Sequence, residues 1–325
     1  MRGLLRQFLH GCWVLLGALT LVFFLFSFVP DPARQVAGQN EREEVVEAFR
    51  AKHGLNQPIL MRYGRFLLGL SPIGSGGFKA PTLGRSFLSD RPVESAIRDA
   101  LGPTMLLAAG AMSFALLFGV AIGLWLALAG DGTWGRWVLG LAALGMSAPS
   151  FVMAILVAWL FGHVLHRWTG LPMTGGWLEV DPFHGPQVAM RHAILPMLTL
   201  AIRPLSVIIQ LSRNAAMEVL DQSYIRTARS KGIGKWAIAT RHVLRNALNP
   251  VLTSASGWVA TLLAGAVFVE FVFGWQGMGL LMFKALESGD LPVVMGCVAV
   301  IATLFVVINV GMEWLYGILD PRVRK

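Results

Sequence analysis

Six apolar runs, residues 12–29, 103–129, 136–164, 192–211, 251–273 and 292–315, each approach or exceed the roughly 20 residues an α-helix needs to cross about 30 Å of hydrocarbon. In lipid every backbone N–H and C=O must be satisfied internally, and runs of this length do so as helices. The composition agrees: 55% of the 325 residues are hydrophobic and 14% are charged, too few charges for an ordinary soluble domain. The expected fold is all-α, a polytopic membrane protein of six transmembrane helices forming a single transmembrane domain over residues 1–325. The lipid bilayer is its solvent. A formal charge of +9 raises nucleic acid as a partner, but the basic residues are not gathered on a soluble domain and no nucleic-acid motif occurs.

Charge orients the runs. Residues 213–250 form the one highly polar stretch between two spans, with seven Lys and Arg against Glu218 and Asp221, so this loop is expected on the cytoplasmic side. Arg2 and Arg6 precede the first run, whose apolar core is longer than that of a typical signal peptide and lacks a clean cleavage site. It is therefore read as an uncleaved span, and six spans place both termini in the cytoplasm. Residues 31–99 then lie outside. They carry ten Lys and Arg, yet segments beyond about 60 residues translocate largely regardless of charge. Within them, residues 41–50 are helix-like and acidic, residues 58–70 amphipathic, and residues 71–84 rich in Gly, Ser and Pro. Residues 166–190, with Trp168 and Trp177, and residues 274–291 are expected as outer loops. Pro149 is expected to kink the third span.

The 213–250 loop has internal structure. Ser223 is placed to cap a short helix through Lys231, Gly232-Ile233-Gly234 breaks it, and a second helix runs toward Pro250. In the second, Trp236, Ala239, Val243 and Ala247 recur at helical spacing, while Arg241 and Arg245 stand four apart, a pattern suited to an anionic membrane surface. The first helix is too short to be stable alone and needs a surface to dock on.

The words in this loop carry a resemblance. Tyr224-Ile225-Arg226-Thr227-Ala228-Arg229-Ser230-Lys231-Gly232, followed by His242-Val243-Leu244-Arg245-Asn246-Ala247, resembles the cytoplasmic loop of ABC-importer permeases, and more narrowly that of the dipeptide, oligopeptide and nickel permease group. Leu83-Gly84-Arg85-Ser86-Phe87, Ala148-Pro149-Ser150-Phe151, the Gly265 to Phe273 stretch and the terminal Asp320-Pro321-Arg322 are similar to words of the same group. The resemblance implies a coupling helix, with Tyr224, Ile225, Thr227, Ala228, Arg229, Lys231 and Gly232 as the ATPase-coupling residues. It also implies a second permease subunit, two ATP-binding cassette subunits, an extracytoplasmic solute-binding protein and a bacterial inner membrane. Short peptides are the implied substrates, with nickel or metal-chelate complexes as the alternative.

The chain brings no engine of its own. Gly234-Lys235 is followed by Trp236 and lacks the upstream glycine of a phosphate-binding loop, so ATP and Mg are expected to be used by partner subunits, with no cofactor bound and no catalysis here. A metal site is not expected either: Cys12 and Cys297 lie far apart in apolar runs, and His163 and His166 read as interfacial polarity. Arg203 in the fourth span and Glu270 in the fifth are the intramembrane charges, an ion pair or part of a polar path. They leave open an ion-coupled secondary transporter, although no internal repeat supports it. A membrane-embedded hydrolase is disfavoured because no nucleophile and base fall in recognisable spacing.

Overall fold

The computed structural model describes residues 2–27, 33–34, 43–71, 73–74, 77–78, 81–130, 132–181, 183 and 185–319. The turn at residues 30–32, the terminal word at residues 320–325 and part of the 71–84 stretch lie outside them. Four helices are long and apolar enough to cross a membrane, and two bent helix pairs bring the number to six if each pair is one span. The helices divide into two compact units, residues 1–103 with 276–325, and residues 104–275.

In the first unit, α1 (Arg2–Ser27) packs along α13 (Leu291–Leu319). Gly11 permits the approach, since a Cβ there would lie 2.4 Å from Val306 Cγ1. Toward the other end, Leu19 and Phe23 are buried with Leu291, Met295 and Ala299. Two helices of the 31–99 segment, α2 (Glu43–His53) and α3 (Ile59–Leu70), precede a short hairpin of β1 (Ile73–Gly74) and β2 (Gly77–Phe78). The amphipathic face of α3 closes on that cluster through Tyr63, Phe66 and Leu70, and the Tyr63 hydroxyl shares a hydrogen bond with Thr20. Asp290 pins the polar loop that follows. It is 2% exposed, accepts the Ser86 hydroxyl at 2.6 Å and the Phe87 N–H at 3.0 Å, and sits at the start of α13. Residues 274–291, expected as a turn, contain the helix α12 (Met278–Glu287), whose Met278 and Ala285 are buried with Val293, Val294 and Cys297.

α4 (Val93–Ala129) begins ten residues before the expected span and carries Pro103 in its interior. Its 37 residues extend about 55 Å at 1.5 Å per residue, well beyond the hydrocarbon thickness.

In the second unit, α8 (Met190–Leu220) is the common neighbour of the other spans. At Gly123 of α4 an added Cβ would lie 2.6 Å from the Ile209 carbonyl oxygen, so only glycine allows the two backbones to come so close. The third apolar run is not one kinked helix. α5 (Thr133–Ser147) and α6 (Ser150–Trp159), the latter continued by a π turn over Leu160–Val164, meet at a bend of 118°. Ala148, just before the proline, is extended (φ −71°, ψ 135°), the region to which a following proline ring confines its neighbour, and Pro149 starts the next helix where its missing N–H is no loss. Residues 166–190 hold a short helix α7 (His166–Thr169) and an antiparallel hairpin of β3 (Leu178–Asp181) and β4 (Gly185–Val188), with Arg191 donating to both Glu179 oxygens at 2.9 Å.

Replacing Asp290 by Ala leaves the buried Ser86 hydroxyl and Phe87 amide without their acceptor. We expect a loss of about 1–3 kcal/mol in unfolding of the purified chain in detergent, with a smaller loss for Ser86→Ala. An unchanged unfolding midpoint in Asp290→Ala would refute the pinning role.

Candidate functional site

The loop at residues 213–250 folds as expected in outline and departs in detail. α9 (Ser223–Ser230) begins at Ser223 itself, after Gln222 in extended conformation (φ −66°, ψ 145°). No side chain caps it, so the expected serine cap is absent; the Ser223 carbonyl instead accepts the Thr227 hydroxyl at 3.2 Å. Its C-terminus is closed by glycine. Gly232 adopts φ +78°, the left-handed region that a side chain disfavours. The Ile233 N–H reaches the Ala228 carbonyl at 3.2 Å and the Gly232 N–H the Arg229 carbonyl at 3.0 Å, which together satisfy the last turn as a Schellman motif.

The second arm starts as α10 (Lys235–Ile238), widens into a π turn at Ala239–Val243, and runs into α11 (Leu244–Phe273). It does not stop at Pro250, which lies inside α11. Ile238, Ala239, Val243 and Ala247 are buried, whereas Trp236, expected on the same face, is 71% exposed. Trp236 stands on the first turn, ahead of the π turn that re-phases the helix.

The two arms meet through the two sequence words. Ile225 (0% exposed) and Ala228 are buried with Leu124 of α4, Ala216 of α8, and Val243 and Ala247 of the second arm. Beside them, Asn246 donates to the Tyr224 hydroxyl at 3.3 Å, and the Tyr224 and His242 rings lie edge-on at 6.3 Å. Of the seven coupling residues named from the sequence, Ile225 and Ala228 thus anchor α9 to the spans. Tyr224, Thr227, Arg229, Lys231 and Gly232 remain exposed, and Arg226, omitted from that set, is exposed with them. Its face was legible from the i, i+3 spacing of Ile225 and Ala228, which leaves residue 226 on the outside.

Arg203 and Glu270 do not form an ion pair. Arg203 is exposed on α8 and lines a cavity of about 50 Å³ with Ser150, Met153, Trp258 and Thr261. Glu270 is fully buried and accepts the Thr104 hydroxyl at 2.6 Å. Register explains the separation. Arg203 shares its cavity with Trp258 and Thr261 of α11, and Glu270 lies nine residues beyond Thr261, about 13 Å along the helix at 1.5 Å per residue. Just beyond Glu270, Gly274 (φ +68°) ends α11, the Trp275 N–H returns to the Glu270 carbonyl at 2.8 Å, and the buried Trp275 ring meets Trp177 edge-on at 5.7 Å. Among the described residues no three His, Cys, Asp or Glu gather as a metal site would require.

Comparison with known proteins places this geometry. Residues 119–325 match the family described as binding-protein-dependent transport system inner membrane component, and residues 1–108 match the N-terminal region of such components. A putative peptide transport system permease protein of Brucella abortus (strain 2308) is 38% identical over 323 residues, covering 99% of this chain and 98% of the relative. The dipeptide transport system permease protein DppB of Alkalihalophilus pseudofirmus is 30% identical with 98% of both chains covered, and the glutathione transport system permease protein GsiC of Salmonella paratyphi A is 33% identical, again with 98% of each. Among solved structures, a chain of the MetNI methionine ABC transporter in inward-facing conformations aligns with a TM-score of 0.56 over 70% of this chain and 97% of its own, at 17% identity, a likeness of fold.

Two outcomes follow. Ile225→Asp places a charge in the α9 contact, and amide hydrogen exchange over residues 223–230 should rise to nearly unprotected rates while α8 keeps its protection; unchanged exchange in α9 would contradict the anchoring role. The effects of Arg203→Met and Glu270→Gln on unfolding should add within about 0.5 kcal/mol, as for independent sites, and a larger coupling would restore the ion pair.

Proposed function

Because this multi-pass inner-membrane chain belongs to the family of binding-protein-dependent transport system inner membrane components, we propose that it is the permease subunit that forms half of a translocation pathway for short peptides in an ABC importer. The observation that carries the coupling part of this reading is α9: a short helix with its apolar side on three long helices and its basic, aromatic side facing outward. Peptides as the substrate class are supported by the peptide, dipeptide and glutathione systems named among its relatives.

In the proposed assembly a second permease supplies the other half of the path. Two ATP-binding cassette subunits hydrolyse ATP with Mg, and an extracytoplasmic binding protein delivers the substrate. This chain is not an enzyme in that scheme. Tyr224, Arg226, Thr227, Arg229 and Lys231 meet the ATPase. When the ATPase pair closes, α9 moves as a body, and its buried residues carry α4, α8 and α11 with it. The bundle thereby exchanges between two rigid-body arrangements, opening the path alternately to either side. The loop at residues 213–250 and both termini lie in the cytoplasm, and residues 31–99 lie outside.

The Gly232 turn gives a sharp test. Proline cannot adopt φ +78°, so Gly232→Pro should leave the protein inserted but lower peptide uptake by the reconstituted importer about tenfold or more and abolish peptide-stimulated ATP hydrolysis, with Arg229→Glu behaving similarly. Normal coupled activity in both variants would overturn the assignment. Uptake in vesicles should stop with vanadate and be indifferent to a protonophore; the reverse pattern would mean ion coupling. Competition by di- and tripeptides, rather than by nickel or its chelates, is the result expected for the substrate class.

A further inference from the structure

A cavity of about 600 Å³ lies wholly within the first unit, where α2, α3 and the loop at residues 81–92 fold over the ends of α1 and α13. One part of its lining is cationic, from Lys52, Arg62, Arg65 and Arg85. Lys52 and Arg85 share a single carboxylate, Asp90, at 3.3 and 3.1 Å. Arg65 donates to Gln57, a neutral amide, and makes no ion pair among the described residues. Asp290, which accepts only neutral donors beside Leu291 and acts on His53, and Glu94, which accepts the Leu83 N–H, are the other carboxylates near it among the described residues, so the four lining cations outnumber them. His53, at its edge, is biased toward its neutral form: burial, and next the Lys52 charge, hold its pKa below the ordinary value of 6.5, and its ring lies between Phe49 and Phe87 at 4.4 and 4.8 Å.

The rest of the lining is apolar, from Leu55, Phe66, Leu68, Leu83 and Phe87, with the buried Phe23, Leu291 and Met295 beneath them. Its depth is set by the chain. Phe23 lies one turn before α1 ends at Ser27, and Leu291 is the first residue of α13, so the floor sits at the meeting ends of two candidate spans. A free inorganic anion would use the cations and waste the apolar wall; a neutral amphiphile would do the opposite. An amphipathic phosphate, charged at one end and apolar at the other, uses both, and the bilayer presents that chemistry at this depth.

We propose that this cavity binds the phosphate headgroup of an anionic phospholipid, with Lys52, Arg62, Arg65 and Arg85 around the phosphate and Phe66, Leu68 and Phe87 against the glycerol and first methylenes. Only the choice of leaflet rests on the topology proposed above; binding in detergent does not depend on it, nor on the substrate. Bound lipid would brace α2 and α3 against α1 and α13.

The test is native mass spectrometry of the delipidated full-length chain, titrated with phosphatidylglycerol, phosphatidylcholine or inorganic phosphate. Phosphatidylglycerol should bind about tenfold more tightly than phosphatidylcholine, and the triple variant Lys52→Gln, Arg62→Gln, Arg85→Gln should remove that preference. Two milder changes guard against misfolding: Arg65→Gln should weaken phosphatidylglycerol binding about threefold, and Arg62→Lys with Arg85→Lys should retain it. Equal affinity for the two lipids would overturn the proposal. So would wild-type binding in both Gln variants, or full displacement of phosphatidylglycerol by millimolar phosphate, which would mark a site for a free anion.

Discussion

Ile225 and Ala228 are buried against Leu124, Ala216, Val243 and Ala247, and the helix that carries them could not exist without that contact. Eight residues are well below the length at which an isolated helix is stable in water, because nucleation fixes several dihedrals before hydrogen bonds reward it. Full burial of the Ile225 side chain contributes about 1.5–3 kcal/mol, and the Schellman closure at Gly232 satisfies carbonyls that would otherwise be unpaired. The same contact that stabilises α9 joins it to three long helices. In the proposed importer a push on α9 would therefore be passed to the helices it packs on.

Much of this was legible in the chain. Apolar run length found the four long spans, and Gly232 marked the end of α9, because both signals are local: one is the thickness of a bilayer, the other a single positive φ. The paired words around Tyr224 and Asn246 turned out to be the two sides of one contact, joined by a 3.3 Å hydrogen bond across 22 residues. Proline was the poorer guide. Pro149 breaks its run into helices 118° apart, whereas Pro250 rides inside α11, and the sequence signal is the same in both. Asp290 gave no signal at all, since its partners at Ser86 and Phe87 are some 200 residues away. Trp236 was misplaced because a π turn, invisible in apolar spacing, shifts the phase of its helix.

The two charges within the spans follow the same lesson. Their signs invited a pair, but Arg203 shares a cavity with Thr261, and Glu270 lies about 13 Å further along α11. Glu270 accepts a hydroxyl close to the turn that ends its helix, and Arg203 lines a small cavity between α8 and α11. Opposite charges in hydrocarbon need partners, though not each other.

The central claim is that the exposed side of α9 touches an ATP-hydrolysing subunit. A photoreactive residue introduced at Arg226, on that side and clear of the buried contact, tests it directly in the assembled importer. Crosslinking to the ATPase that strengthens or shifts between nucleotide-free and ATP-bound states is the result predicted. An intact complex in which residue 226 crosslinks only to lipid, or to nothing, would contradict it.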